Sequence, residues 1–325
     1  MRAYRQVGLA VRLPRSPIER LRGRLTGIER ALGETREYVT WVQAAVAEVG
    51  SAVRSLSTEV AGLSAELAER DARVLEILRL SLDREPVQRQ ALRRARESPS
   101  YELAYSDPEP LVSVVIPTWQ NYEALAQRSL PSVLSQTHQN FEVIVVGDRA
   151  PGGAEDVVRS FGDHRIRYVN LERRGPYPED PAAAYLVAGV PPYNEGVALA
   201  RGRWIAPLDD DDAFREHHIA ALLELARREQ AELSYGQFLW HHRDRDDERM
   251  GVFPPEFGKF EMQGALYHAD LRFFELELSD ALFGLPGDWA WCQRLLRAGV
   301  RCAMLDEVVV DYYPSAEWSA SGVRS

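Results

Sequence analysis

The chain has 325 residues, an apolar share of 45% and a formal net charge of −10. The length suits two units of ordinary domain size, and the acidic balance argues against nucleic acid as the main partner, because a phosphate backbone calls for a basic surface. The only cysteines, Cys292 and Cys302, form no CxxC or Cys/His pattern, which argues against a disulfide scaffold or a zinc knuckle. No apolar run approaches the roughly 20 residues of a membrane helix. The opening MRAYRQVGLAVRLPRSP has arginines but no apolar core of signal-peptide length. A cytoplasmic protein is therefore expected.

The chain divides into a basic tail (1–17), a coiled coil (18–82), a linker (83–110) and a catalytic domain (111–325). From Ile18, steps of three and four residues meet Leu21, Leu25, Ile28, Leu32, Thr35, Val39, Val42, Val46, Val49, Val53, Leu56, Val60, Leu63, Leu67, Arg70, Val74 and Ile77. Only Thr35 and Arg70 break the apolar seam. Such a repeat keeps one narrow face toward a partner helix. Val53 and Val60 at a with Leu56 and Leu63 at d favour a parallel dimer, so a homo-oligomer is expected. A helix folded back on its own chain is the alternative, and Gly33, Gly50 and Gly62 weaken the helix locally. Pro86 is expected to end or interrupt the helix. The stretch SPSYELAYSDPEPL that follows reads as a linker. Basic residues at Arg2 to Arg24 and Arg84 to Arg96 suit either a solvated helix face or peripheral contact with an anionic membrane.

From Leu111 the pattern changes. LVSVVIP, a short apolar β-branched run, and FEVIVV (141–146) read as buried strands, and Ile166–Val169 and Trp204–Leu208 read as further strands. Helical segments at Tyr122–Gln136, Glu155–Ser160 and Asn194–Ala200 alternate with them. This order predicts an α/β fold with a mainly parallel sheet and flanking helices. Ligands of such sheets bind at the carboxyl ends of the strands.

Those ends carry polar residues. Asp209, Asp210, Asp211 and Asp212 follow the strand WIAPL. Adjacent carboxylates repel unless a cation or solvent offsets them. Mg²⁺ and Mn²⁺ take one or two carboxylates together with substrate phosphates. Asp212 also reads as the N-cap of the next helix. Asp148 ends FEVIVVGD and suits either a nucleobase N–H or a turn cap. Thr118 follows the first strand. Asp288 opens the amphipathic helix of GDWAWCQRLLRAG, where it reads as a cap or as a general base.

Several of these elements stand in a recognisable order. VSVVIPTW, SLPSVLSQTHQNFEVIVVGD, NEGVALARGRWIAPLDDDD and GDWAWCQRLLRAG resemble the successive motifs of a family 2 glycosyltransferase with the GT-A fold, over Leu111 to about Tyr313. The resemblance implies a metal-dependent, inverting transfer from a nucleotide-diphosphate sugar; the donor stays open among uridine, guanosine and thymidine diphosphate sugars, with uridine slightly favoured. It implies that Thr118 and Asp148 contact the base. Asp209 and Asp211 would match the Asp-x-Asp pattern, with Asp211 the metal ligand and Asp209 or Asp210 reaching the ribose or metal waters. Asp288 would be the catalytic base. Arg173 and Arg174 are the candidates for the basic residue near the diphosphate. The chain departs from the family at Gly147, where a second acid is frequent, at Gln120, where Asn is common, and in having no His after His268.

The acceptor is left open among a glycan, a lipid-linked saccharide and a protein. A nucleotidyltransferase would need a Gly-rich basic phosphate loop, which VVIPTWQNYEAL is not. A coiled-coil scaffold with an inactive sugar-binding domain is the other alternative. The pairs His217-His218 and His241-His242 point to opposite faces and are not expected to bind zinc. Tyr185, Tyr193, Trp240 and Trp289 suit either sugar stacking or the core.

Overall fold

The computed structural model describes residues 16–314, so most of the expected basic tail and residues 315–325 of the catalytic segment lie outside the described residues. The chain divides into two units at Arg79/Leu80. The first unit is helical. Helix α1 (Pro17–Arg96) opens with a reciprocal capping box. The Ser16 N–H donates to Glu19 Oε2 at 3.0 Å, and the Glu19 N–H donates to Ser16 Oγ at 3.2 Å. Pro17 at the first position presets the helical φ and gives up an N–H that has no intrahelical partner. Between Ile18 and Val74 the apolar seam residues are exposed, from 46% at Val74 to 71% at Ile18, apart from Val42, which is half-buried. No helix among the described residues is long and apolar enough to cross a membrane.

The helix does not end at Pro86, and the expected linker 83–110 is built into the second unit. A helix-interior proline costs about 3 kcal/mol. Anchors within three turns offset it. Leu92 is 1% exposed. Arg96 makes a bidentate pair with buried Glu232, at 2.6 and 2.7 Å. Helix α2 (Leu103–Ser106) follows, and Tyr101, Ala104 and Tyr105 are buried in the core.

Strand β1 (Val112–Thr118) leads to α3 (Tyr122–Ala124), a π-helical turn (Leu125–Ser129) and α4 (Leu130–Leu134). Then come β2 (Phe141–Gly147), α5 (Ala154–Phe161), β3 (Ile166–Asn170), α6 (Pro181–Leu186), α7 (Val190–Leu199) and β4 (Trp204–Pro207). The remainder is β5 (Ala213–Phe214), α8 (His218–Glu229), β6 (Leu233–Trp240), β7 (Glu248–Met250), β8 (Ala265–His268), α9 (Gly287–Ala298) and β9 (Cys302–Tyr312).

One sheet runs β3-β2-β1-β4-β8-β6-β9-β5, with β7 paired to β6. Its first four strands are parallel, as the alternation predicts. The other half is mixed, since β8 is antiparallel to both β4 and β6 while β9 is parallel to β6. Alternation along each strand builds two cores. Val112, Val114, Ile116, Val143 and Val145 face one side with Leu130, Ile219 and Leu222. Val115, Ile144 and Val146 face the other with Val197, Trp291 and Leu295. Helices thus cover both faces, and every parallel strand delivers its carboxyl end to one edge.

Candidate active site at the strand ends

Thr118 is the last residue of β1, in register with Gly147 of β2. The Asp148 N–H donates to the Thr118 carbonyl at 2.9 Å, so the two residues named for the base are adjacent. Asp148 is buried and held from the loop after β3. Tyr177 Oη donates to its Oδ2 at 2.7 Å, and the Gly175 N–H donates to its Oδ1 at 3.2 Å. Arg174 lies 3.5 Å from the same carboxylate. Its guanidinium also stacks 3.7 Å above the Trp119 ring, which is 39% exposed. Arg173 is exposed. The structure therefore brings Arg174, and not Arg173, into the polar cluster.

The four aspartates after β4 divide their tasks. Asp210 is buried, with Thr118 Oγ1 donating to Oδ2 at 2.6 Å and Asn121 Nδ2 to Oδ1 at 2.9 Å. Both of its oxygens are used in joining the β1 loop to the β4 loop. Asp212 does not cap α8, whose cap position is His217. Its Oδ1 accepts the Tyr313 N–H at 2.8 Å, while its buried Oδ2 has no hydrogen-bond partner. The reason is local: β5 intervenes between Asp212 and α8 and pairs with β9. Asp209 accepts from Gln263 Nε2. Asp211 lines an open cleft of about 460 Å³ with Asn121, Arg128, His241, His242, Arg243 and Tyr313.

Burial, followed by mutual repulsion, raises the carboxyl pKa of Asp209 and Asp211 above the ordinary range, with Arg128 opposing the rise at Asp211. Asp288 adds to the repulsion at Asp209, which makes it part of the same electrostatic site. Asp288 lies in the first turn of α9, and its Oδ1 accepts the Trp289 N–H at 2.7 Å. Among the described residues, no three His, Cys, Asp or Glu side chains converge as a cage for a metal ion. Mg²⁺ and Mn²⁺ need no such cage when substrate phosphates complete the shell. The repelling carboxylates and the unpartnered Asp212 oxygen fit a cation at Asp211, with Asp209 alongside.

Arg128, which sequence reasoning missed, donates to the Asp211 carbonyl, and its guanidinium lies 3.7 Å above the Tyr313 ring. The π-helical turn carries it there, and Ser129 Oγ reaches the Asp209 carbonyl at 3.2 Å. π-turns often occur at functional sites, but nothing in QRSLPS announces one. Of the paired histidines, His241 and His242 both line the Asp211 cleft. His218 is buried against Phe214 with ring centroids 3.7 Å apart, and His241 is bracketed by Asp247 and Asp311. Tyr193 and Trp240 are core residues, whereas Trp289 is half-buried beside Asp288.

The family model "Glycosyl transferase family 2" matches residues 113–178 and 192–275. Glycosyltransferase GlyG of Streptococcus pneumoniae is 26% identical over 130 residues, 39% of each chain. Succinoglycan biosynthesis protein ExoO of Rhizobium meliloti is 32% identical over 121 residues, 37% of this chain and 31% of that one. The alignments thus span well under half of those relatives. The crystal structure of Staphylococcus aureus TarS 1–349 in complex with UDP superposes with a TM-score of 0.50 at 16% identity, covering 63% of this chain and 61% of that one. Parallel strands in the order of the GT-A fold, together with these matches, show that the chain carries a glycosyltransferase family 2 domain.

Proposed function

We propose that this chain is an inverting glycosyltransferase that moves a sugar from a nucleotide-diphosphate donor to an acceptor hydroxyl in surface-glycan synthesis. The observation that carries the reading is the convergence of Thr118, Asp148, Asp209 and Asp211 at one sheet edge, with Asp288 inside the same field. Asp148 and Thr118 would meet the base, and Arg174 with Trp119 would border it. Asp210 serves as the strut that fixes the β1 and β4 loops. Arg128 supplies positive charge beside Asp211. Asp288 would take the acceptor proton, its anionic form steadied by the Trp289 N–H and the α9 N-terminus. Mg²⁺ or Mn²⁺ at Asp211 and Asp209 would supply charge to stabilise the departing nucleotide diphosphate. The complexes of TarS with UDP and with UDP-GlcNAc favour a uridine donor here. The succinoglycan role in ExoO's name favours a glycan acceptor.

The test is thermal stabilisation of the whole protein by UDP, GDP and dTDP, each with Mn²⁺, Mg²⁺ or chelator. Ligand that binds only the folded form raises its stability by mass action. A metal-dependent shift with UDP, absent in Asp211→Ala, is expected. No shift with any nucleotide points to the inactive-scaffold alternative. Asp288→Asn is expected to keep the UDP shift and lose sugar transfer by at least about 100-fold. Transfer at the wild-type rate would remove Asp288 from the base role.

A further inference from the structure

We propose that residues 18–74 of α1 bind a second copy of this chain as a parallel, in-register two-stranded coil, aligned by a charged layer of Glu66, Arg70 and Asp71. The helix presents its seam to solvent, with Leu25, Val39, Val46, Val53, Leu56, Val60, Leu63 and Leu67 each 48–66% exposed and only Val42 half-buried between Ile18 and Val74. An apolar stripe of this length marks an interaction surface. The stripe is narrow, following a and d with Tyr38 and Trp41 the only large apolar side chains beside it between residues 18 and 74, which fits one partner helix better than a broad core.

The helix is also poorly suited to standing alone. It contains Gly23, Gly27, Gly33, Gly50 and Gly62, each worth about 1 kcal/mol of helix stability against alanine. In the heptad these fall at f, c, b, e and c, never on the seam. A Cβ at Gly23, Gly27, Gly33 or Gly62 would meet nothing within 4 Å, so packing within the chain does not require them. Burial of the seam against a second helix is what offsets the loss.

Charge selects the orientation. In a parallel pair, a g residue faces the e residue five positions later in the other copy. Arg24 then faces Glu29, an attractive pair formed twice. Glu66 faces Asp71, a repulsive pair, and the polar d residue between them is Arg70. Two arginines in that layer offset the acids and fix the register. Thr35, the other polar d residue, meets its own copy, and its hydroxyl already donates to the Ala31 carbonyl at 2.7 Å. An antiparallel pair of equal overlap sets Arg70 against Leu25, Thr35 against Val60 and Arg24 against Arg73. That arrangement buries Arg70 and Thr35 against apolar side chains, which outweighs the even balance of its repulsive Arg24–Arg73 and attractive Arg22–Asp71 flanking pairs. Val at a with Leu at d in the central heptads selects two strands.

The experiment uses the full chain. Sedimentation equilibrium should give a dimer, and a monomer throughout the micromolar range would overturn the proposal. Leu56→Cys should cross-link to its own copy under mild oxidation, while the wild type, with Cys292 and Cys302, does not. In the antiparallel pair the two substituted positions lie about 25 Å apart, so a dimer without that cross-link overturns the parallel register. Arg70→Glu should raise the dissociation constant at least about tenfold, with Arg70→Lys retaining the dimer. An unchanged constant in Arg70→Glu overturns the charged layer. Catalysis plays no part in these measurements, so their failure leaves the sugar-transfer reading intact.

Discussion

Arg173 and Arg174 are neighbours of one residue type in one loop, and sequence alone ranks them equally. The structure separates them by contacts with residues far away in the chain. Arg174 is 3.5 Å from Asp148 and 3.7 Å above Trp119. Both contacts depend on the β2 end and the β1 loop meeting the β3 loop, which no local pattern encodes. We expect Arg174→Ala to weaken UDP binding about three- to tenfold by calorimetry, the scale of a cation–π contact and a partly exposed ion pair. Arg173→Ala should stay within about twofold. Equal losses would return the two arginines to the same footing. The aspartate run shows the same limit: its position at the strand end was legible, but its division of labour was not. Asp210 is committed to Thr118 and Asn121, and Asp212 to Tyr313, about 100 positions downstream. Arg128 was illegible for a further reason, because a π-turn rotates it and leaves no signature in side-chain periodicity.

Elements were more legible than residues wherever a physical period was strong. β1, β2 and β4 were visible as apolar runs, the first two rich in β-branched residues, because strands buried on both faces need apolar residues at successive positions. The seam of α1 was visible because its period repeats over many turns. The end of α1 was not, since Pro86 and the arginines are unfavourable locally and are held by Leu92 and the Arg96–Glu232 pair. Glycines show which close approaches matter between elements. A Cβ at Gly196 on α7 would press on the Val115 and Val146 side chains of the sheet. A Cβ at Gly202 would meet the backbone N of Ser113 at 2.7 Å and the carbonyl of Leu111 at 2.8 Å. Side chains can give way, whereas strand backbone cannot. Gly196→Ala should therefore cost about 1–3 kcal/mol in urea unfolding, the usual scale of overpacking. Gly202→Ala should cost more, because the Gly202 N–H to Ser113 Oγ bond at 2.8 Å must also shift. A milder effect at Gly202 than at Gly196 would contradict this ranking.

At the scale of the whole molecule, the division at Arg79/Leu80 falls inside a helix that runs on to Arg96. Removal of residues 1–79 should therefore leave a catalytic unit that melts near the full-chain temperature and still binds nucleotide. Removal of residues 1–101 should not. It strips Leu92, Arg96 and Tyr101 from the core, and Glu232, 0% exposed, keeps only Arg301. A buried charge that loses its partner costs roughly 3–5 kcal/mol, which for a unit of this size is a fall of roughly 10 °C in Tm. Its pH dependence identifies the cause. Burial pushes the Glu232 carboxyl up, but bonds from Arg96, Tyr101 and the Arg301 backbone outweigh it and hold the pKa below its ordinary value. A lowered pKa adds stability above the unfolded value of about 4.3 and loses it as pH falls toward the folded value. Without Arg96 and Tyr101 that added stability shrinks, so the longer truncation is penalised most at neutral pH and least in acid. The gap in Tm between the two truncations should therefore narrow as pH drops below about 4.3. A gap that stays constant as pH falls from 7 to well below about 4.3 would mean that lost packing at Leu92 and Tyr101, and not the carboxylate, sets the cost.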